Sequence, residues 1–325
     1  MQTLVEPETA GDPMSEQKWV RSSLRSLSAR LTAAGHPISP PTVGRLLSEM
    51  DYALHVNAKK VEARPDHADR DRQFTYLTEM RNTFIAAGLP VISVDTKKKE
   101  LIGNFKNAGQ AWGLSAEAVN THDFPQDAEG RAVPYGIYDL IHNQGTVYVG
   151  SSADTPQFAV DAIARWWEER GRRVFPHADH MLILADSGGS NGCRPRLWKA
   201  QLQEQLSDRL GLTVTVCHYP TGCSKWNPIE HRLFSHISLN WAGKPLRTWE
   251  VLLGYLRGTT TTTGLQVDAF RLEGLYETGQ RVSDVAMEAL NMTRHTVCPT
   301  WNYTIRPRVA SEAATPVMED REVVF

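Results

Sequence analysis

Hydrophobic residues recur at two different spacings along the chain. In residues 23–50, leucines and a valine fall three and four positions apart in two runs, which Gly35 and Pro37 separate. This pattern is typical of two short helices around a tight turn, the second capped by Ser39 or Thr42. A third helical pattern runs from Phe74 to Ala87 and stops at Gly-Leu-Pro. The region before residue 91 is therefore predicted to contain a helix-turn-helix-like pair and, after a charged linker, a third helix.

From Val91 onward, short apolar runs alternate with amphipathic stretches. The runs "VISVD", "LIGNFKNAGQAW", "AVPYGIYDLIHNQGTVYVG", "HMLILAD" and "LTVTVCHYP" predict strands. Three amphipathic stretches predict helices: residues 155–170, which Gly171 closes, "PRLWKAQLQEQLSDRLG", and "NPIEHRLFSHISLNW", which Asn227 caps. The order is three strands, helix, strand, helix, strand, helix. It indicates an α/β fold, in which helices flank a mixed sheet on both sides.

The rest of the chain follows from weaker patterns. A helix is predicted over 248–257, the five consecutive threonines suit a strand or loop, a capping pattern stands at Ser283, and "WNYTIRP" predicts a terminal strand. The resulting organisation is a flexible lead (1–16), a helix-turn-helix-like segment (17–56), a linker and helix (57–90), an α/β domain (91–258), a C-terminal extension (259–308) and a disordered tail (309–325).

Composition narrows the class of protein. The chain has 325 residues, 41% of them hydrophobic, which is enough for one large domain or two ordinary ones with a buried core. It contains no apolar run long enough for a membrane span and no apolar N-terminal core of a secretory signal, so we expect a cytoplasmic protein. Four cysteines are too few for a disulfide scaffold. A zinc site from Cys193, Cys217, His218 and Cys223 would lack the usual paired spacing.

Charge is distributed unevenly. The net charge is −2, yet residues 17–64 hold eight Lys/Arg against three Asp/Glu, and residues 188–250 hold eight against four. Two basic middle segments and an acidic tail permit a nucleic-acid partner, and binding to DNA would associate a cytoplasmic protein with the nucleoid. Solvated faces of different sign would give the same counts, so charge alone leaves both interpretations open.

Three acidic residues occupy positions from which they can meet at one edge of the predicted sheet. Asp95 and Asp186 end apolar strands, and Glu230 lies in the first turn of the helix after the strand at 212–220. In such sheets, functional residues gather at the carboxyl ends of the parallel strands. Carboxylate oxygens suit Mg²⁺, and two ions about 4 Å apart can activate an attacking oxygen and stabilise the leaving one. The sequence therefore indicates metal-dependent phosphodiester chemistry.

Each carboxylate also has a structural interpretation. Asp186 precedes "SGGSNG" and suits a turn, while Glu230 stands three residues after Asn227 and suits a capping box. Trp226 likewise has two interpretations, an indole ring in the core or a ring that stacks on a base.

Basic and polar residues near the three acids are candidates for supporting roles. The candidate DNA contacts are the basic residues Lys97, Lys98, Lys99, Arg45, Lys225 and Arg232. Asn191 and His231 stand beside the second and third carboxylates and are candidates for orienting water, DNA or the metal ligands. For the three consecutive lysines, a solvated turn is the alternative.

The motifs "VDTKKKELIGNFKNAG", "LADSGGSNG" and "YPTGCSKWNPIEHRLFS", in this order, resemble the DDE transposases of bacterial insertion sequences. The resemblance is to the Rhodopirellula transposase DDE family, which "TGLQVDAF", "VSDVAMEALNM" and "WNYTIRPR" also resemble, and it covers roughly residues 5 to 308. It implies a ribonuclease H-like catalytic domain over 91–258. The family's triad carries over onto Asp95, Asp186 and Glu230.

The resemblance implies metal-dependent nicking at an element's terminal inverted repeats, followed by transfer of the freed strand into target DNA. It implies two Mg²⁺ ions, with Mn²⁺ as a substitute, double-stranded DNA as partner, and a homo-oligomer on that DNA. A nuclease that cuts without joining and an inactive DNA-binding remnant are the alternatives. Family members typically carry a longer N-terminal helical region, and "EPETAGDPMS" resembles an internal junction, so a shortened start is also an open alternative.

Overall fold

The computed structural model describes residues 9–11, 18–20, 23–52, 69–111 and 115–308. The chain forms two compact units, Met1–Ala63 and Arg64–Phe325. The predicted linker lies partly outside the described residues, and the predicted disordered tail (309–325) lies entirely outside them.

The first unit contains the predicted helix pair. Its elements are strands β1 (Thr9–Gly11) and β2 (Lys18–Val20), which pair antiparallel, and helices α1 (Leu24–Ala33) and α2 (Pro40–Glu49). Ser39 caps α2, since its hydroxyl accepts from the amide of Thr42. Leu27, Leu31 and Val43 are buried together between the helices. The apolar spacing therefore predicted both helices, whereas it gave no indication of β1, which lies in the predicted flexible lead.

The second unit is built on a nine-stranded mixed sheet. Its strands are β3 (Val91–Thr96), β4 (Glu100–Ile102), β5 (Gly130–Asp139), β6 (Gln144–Gly150), β7 (His180–Asp186), β8 (Thr213–Tyr219), β9 (Gln266–Arg271), β10 (Met292–Arg294) and β11 (Asn302–Ile305). The order is β10-β11-β8-β7-β3-β5-β6-β9, and β4 pairs with β5. Strands β3, β7 and β8 are parallel, while β5 is antiparallel to its three partners β3, β4 and β6. This arrangement confirms the predicted ribonuclease H-like fold.

Helices cover both faces of the sheet. They are α3 (Arg70–Ala86), α4 (Pro156–Trp166), α5 (Arg196–Gln201), α6 (Ser235–Asn240), α7 (Trp249–Arg257) and α8 (Asp284–Glu288). Helical turns of π type continue α4 through Trp167–Gly171 and α5 through Leu202–Asp208, and Glu230–Phe234 leads into α6. One core lies between the sheet and α4 and α5. On the opposite face, α6 and α7 form a second core, and α3 forms a third over β7 and β8.

Three local predictions are wrong. Helix α3 begins at Arg70 instead of Phe74. The run "LIGNFKNAGQAW" provides only β4, because residues 103–111 have no regular structure. Gly171 does not end a helix, since helical structure continues to Val174. A Cβ at Gly171 would lie 2.5 Å from the Trp167 ring, so this glycine permits close packing of two indoles.

In the described part of the chain, no helix is long and apolar enough to cross a membrane.

Candidate catalytic site

The first two carboxylates lie at adjacent strand ends. Strands β3 and β7 are parallel, and Val94 pairs with Ala185. Asp95 and Asp186 follow these two residues directly and therefore leave the sheet side by side. Both side chains are partly buried. The residues that precede them on both strands are buried, as expected for parallel strands covered on both faces.

Glu230 is brought to the same edge by packing on β5 of residues 227–240, here called the α6 segment, which end in helix α6. Gly136 of β5 pairs with Asp95. A Cβ at Gly136 would lie 2.5 Å from the Phe234 ring and 2.9 Å from Ile229. The missing side chain therefore lets the segment lie directly on the strand beside Asp95. Sequence reasoning did not single out this glycine, because its role depends on a partner almost a hundred residues away.

Asn227 connects its own segment to strands β3 and β7 through side-chain hydrogen bonds. Its Nδ2 donates to Oδ1 of Asp186 at 3.1 Å and to the carbonyl of Val94 at 3.4 Å. Its Oδ1 accepts from the Ser93 hydroxyl, which in turn accepts from the amide of Ile229 at 3.0 Å. Asn227 and Ser93 are fully buried. The predicted N-cap role is wrong for this side chain, since it points into the sheet and orients Asp186.

Burial and neighbouring negative charges raise the pKa values of Asp95 and Asp186. The pKa of Asp95 is raised to about 8, by desolvation first and then by the charge of Asp186, against a lowering hydrogen bond from the Thr96 amide. The pKa of Asp186 is raised to about 6 by desolvation and by Glu230, and the Asn227 bond opposes this. A nearby cation is strongly favoured where neighbouring negative charge raises the pKa of buried carboxylates in this way.

The donor set fits a hard divalent cation in type and charge. Oδ1 of Asp95 accepts from the Thr96 amide at 2.8 Å and Oδ1 of Asp186 is held by Asn227, whereas their Oδ2 atoms accept no bond from the described residues. The described part of the chain contains no group of three acidic, histidine or cysteine side chains already close enough to hold one ion. Mg²⁺ is commonly held by only one or two carboxylates together with water and phosphate oxygens, so the pair at the strand ends is sufficient in kind.

The lysines after Asp95 differ in their surroundings. Lys97 is 9% exposed, lies 3.8 Å from Glu100 and stands over the Trp241 ring at 4.9 Å. Lys98 and Lys99 are exposed. All three line a cavity of about 460 Å³ that also contains Asp95, Arg131 and Asp154. The alternative of a solvated turn is therefore wrong for Lys97, whose ammonium is desolvated and whose pKa is lowered by burial.

The chain matches the family described as Rhodopirellula transposase DDE domain over residues 1–307. The chain belongs to this family. No curated protein matches it. Among solved structures it is similar to "Mos1 transposase paired-end complex with left transposon end", with 14% identity, 76% of this chain and 73% of that chain covered, and a TM-score of 0.43. It is also similar to "Crystal structure of the Mos1 Strand Transfer Complex", with 14% identity, 76% and 72% covered, and a TM-score of 0.44.

The remaining basic candidates of this DDE-family chain are dispersed. Lys225 is exposed, and its backbone carbonyl accepts a hydrogen bond from His231. Arg232 bonds to Tyr138, whose hydroxyl donates to Asn143 in the β5–β6 turn, so it lies towards the end of the sheet away from Asp95. Arg45 belongs to the other unit, where it forms an exposed ion pair with Glu49 at 2.6 Å.

Two buried residues near the strand ends, Asn191 and His218, differ in their hydrogen bonding. Asn191 is 1% exposed, and neither atom of its amide has a partner among the described residues. His218 was considered only for zinc, yet its Nδ1 donates to the carbonyl of Asp186 at 2.9 Å. Its Nε2 therefore accepts from the Tyr303 hydroxyl at 3.3 Å, and Tyr303 accepts from Trp198. This chain of hydrogen bonds links the backbone at the end of β7 to the buried side chains of Tyr303 and Trp198.

Proposed function

We propose that this chain is a metal-dependent DNA transposase that cuts at the ends of an insertion sequence and transfers the freed strand into target DNA. The observation that carries the proposal is that Asp95 and Asp186 end adjacent parallel strands, with Glu230 close enough for its charge to add to the raised pKa of both aspartates. The family match supports the reaction class. The three carboxylates are the proposed metal ligands.

The reaction needs two divalent ions, Mg²⁺ or Mn²⁺, which when bound activate the attacking oxygen and stabilise the leaving one. The residues of the chain position these ions and the DNA. Asn227 fixes one oxygen of Asp186 and leaves the other to a ligand. The exposed Lys98 and Lys99 line the cavity beside Asp95, where they can contact phosphates of the scissile strand. Desolvated Lys97 lies near Glu230 and offsets its charge.

The proposed partner is double-stranded DNA, both the terminal repeats and the target. The helix pair of the first unit, with Arg45 on α2, is the proposed contact to the repeats. Arg232 is left out of the proposed contacts, because it bonds to Tyr138 away from the acids. Transfer of two element ends needs two active sites, so a homo-oligomer on DNA remains part of the proposal.

The test is cleavage of a supercoiled plasmid that carries the element's ends, with Mg²⁺, with Mn²⁺ and with EDTA. The Asp186→Asn variant keeps the size of the side chain and removes the charge. We expect nicking that requires metal and falls by at least about 1,000-fold in the variant, since several kcal/mol of transition-state stabilisation is lost. Joined products should appear with the wild type.

Asp268→Asn is the matched control. Asp268 is an exposed aspartate on the edge strand β9 and pairs with Arg170 at 3.1 Å, so its loss should leave cleavage unchanged. Cleavage without joined products would identify a nuclease and contradict strand transfer. DNA binding without cleavage by the wild type would identify a non-catalytic remnant and contradict the proposal as a whole.

A further inference from the structure

Trp226 is unusual among the tryptophans whose side chains the structure describes. It is 54% exposed, whereas Trp166, Trp198 and Trp241 are 1%, 0% and 3% exposed. The sequence left open whether this indole lies in the core or on the surface, and the structure decides for the surface. An indole ring exposed to this extent leaves a large apolar area in water, which is unfavourable for the isolated protein.

The exposed ring is nevertheless held in place. Trp226 ends a 3₁₀ turn (Ser224–Trp226), and its amide donates to the carbonyl of Cys223 at 2.9 Å. The ring of Phe74 meets it edge-on, with centroids 6.0 Å apart. The Lys225 ammonium lies 5.6 Å from its centroid. The ring is therefore a preorganised surface, which loses little conformational entropy when it binds something flat.

This surface lies beside the proposed metal ligands. The next residue, Asn227, holds Oδ1 of Asp186. Phe74 also contacts the ring of Tyr219, with centroids 6.1 Å apart, and Tyr219 is paired with Asp186 across β7 and β8. Two independent paths thus place Trp226 on the β8 side of Asp186. The lysines and the cavity lie on the other side, towards β4 and α4.

We propose that Trp226 is a stacking platform for an unpaired nucleobase of the strand that enters the site. The proposal rests on the proposed function, because a phosphodiester at Asp186 is what brings a base within reach. A base inside a duplex has both faces covered by its neighbours, so only an unstacked base offers a face to the indole. The Lys225 ammonium beside the ring can contact the adjoining phosphate. An aromatic ring combined with a cation is the composition of single-strand binding surfaces.

The experiment measures binding without cleavage. Full-length protein is titrated into a single-stranded oligonucleotide that contains one 2-aminopurine, with EDTA present. Stacking on an indole should quench the 2-aminopurine fluorescence, and anisotropy of a labelled copy reports affinity. We expect Trp226→Ala to abolish the quenching and to weaken binding about tenfold, the lower part of the range for loss of one base-aromatic stack. Trp226→Phe, which keeps a ring, should retain most of both.

Phe270→Ala is the matched control. Phe270 is an exposed aromatic, 41% accessible, on the edge strand β9, and it stacks on Tyr148 at 5.7 Å. Its loss should change neither quenching nor affinity. Circular dichroism melts of all variants establish that they are folded, because Trp226→Ala also removes a contact of Phe74.

Three results would overturn the platform. In the first, folded Trp226→Ala quenches the fluorescence as strongly as the wild type does. In the second, the wild-type protein binds the oligonucleotide without quenching. In the third, the only change in Trp226→Ala is a smaller oligomer in sedimentation. The last would assign the ring to contact between copies of the chain.

The plasmid assay decides the proposed function separately. Quenching without any cleavage would leave a base-binding protein, and cleavage without quenching would leave a transposase that lacks this platform.

Discussion

At the scale of single residues, Asn227 connects more of the site than any of the acids does. It bonds to Asp186, Val94 and Ser93 and is fully buried. We expect Asn227→Ala to lower the cleavage rate about 10- to 100-fold, as the loss of a residue that orients a metal ligand typically does. The free energy of unfolding should fall by about 1–3 kcal/mol, because buried polar partners are left unsatisfied. Cleavage rates against Mg²⁺ concentration and urea unfolding measure the two effects.

Asn240→Ala provides the comparison for Asn227. Asn240 ends α6 and is exposed, and its amide donates to the carbonyl of Tyr255 at 2.7 Å. Its removal should leave the Mg²⁺ dependence as in the wild type. If Asn227→Ala and Asn240→Ala had the same small effect on cleavage, Asn227 would not orient Asp186.

The raised pKa of Asp95 predicts a pH dependence of stability in the absence of metal. The pKa of an aspartate in an unfolded chain is about 3.9, whereas the pKa of Asp95 in the folded protein is about 8. Between these values the folded protein holds a proton that the unfolded chain has released, so the free energy of unfolding falls as the pH rises. Asp186, with a pKa of about 6, adds to this fall over the lower part of the window.

The measurement is urea unfolding in EDTA from pH 5 to pH 8. Asp95→Asn should reduce the fall, and its stability should approach or exceed that of the wild type at pH 8. Mg²⁺ should stabilise the wild type more at pH 8 than at pH 6, because binding displaces protons. A wild-type profile parallel to that of Asp95→Asn would mean that the carboxylate titrates normally.

At the scale of elements, contact between the α6 segment and β5 determines where Glu230 lies. Gly136→Ala would place a methyl group 2.5 Å from Phe234 and force the segment outward. We expect the free energy of unfolding to fall by about 1–3 kcal/mol, as in other overpacked cores. Cleavage should fall by about 100-fold, because displacement of a catalytic group by about 1 Å has this effect. Both are measured at a temperature where the variant is folded.

Gly254→Ala is the control for Gly136. Gly254 lies in α7, and a Cβ there meets nothing within 4 Å. Alanine should therefore stabilise the protein by about 0.5–1 kcal/mol through helix propensity, with unchanged cleavage. If cleavage by Gly136→Ala fell only in proportion to its fraction of folded protein, this packing would not position Glu230.

At the scale of the whole molecule, the two compact units predict a division of roles. Arg45 is exposed on α2 of the first unit, and the acids all belong to the second. We expect Arg45→Ala to weaken binding to the element's ends and to reduce the slope of log affinity against log salt by about 0.9, the loss of one phosphate contact. Metal-dependent nicking of a plasmid without these ends should not change.

Glu49→Ala separates charge from helix stability in this test. It removes the partner of Arg45 and keeps the guanidinium, and an exposed pair of this spacing contributes only about 0.3–0.5 kcal/mol. Affinity for the ends should be unchanged or higher. An equal loss of affinity in both variants would assign the effect to α2 and not to a contact with DNA.

Local patterns predicted much of this architecture. The caps at Ser39 and Ser283 are made as the spacing indicates, and β3, β7 and β8 lie where the apolar runs stand. These features depend on neighbours within a few residues, so the sequence carries them directly. The same local reasoning was wrong at Gly171, where a glycine that looks like a helix stop instead makes room for Trp167.

The sequence by itself determined the helix pair, the alternation of strands and helices, and the positions of Asp95 and Asp186 at strand ends. Only the tertiary structure decided that Asn227 turns inward to Asp186, that Gly136 admits the segment bearing Glu230, and that Trp226 stays exposed. The physical reason is range. Periodicity and capping act over a few residues, whereas burial, desolvation and hydrogen bonds to distant strands exist only once the chain has brought those groups together.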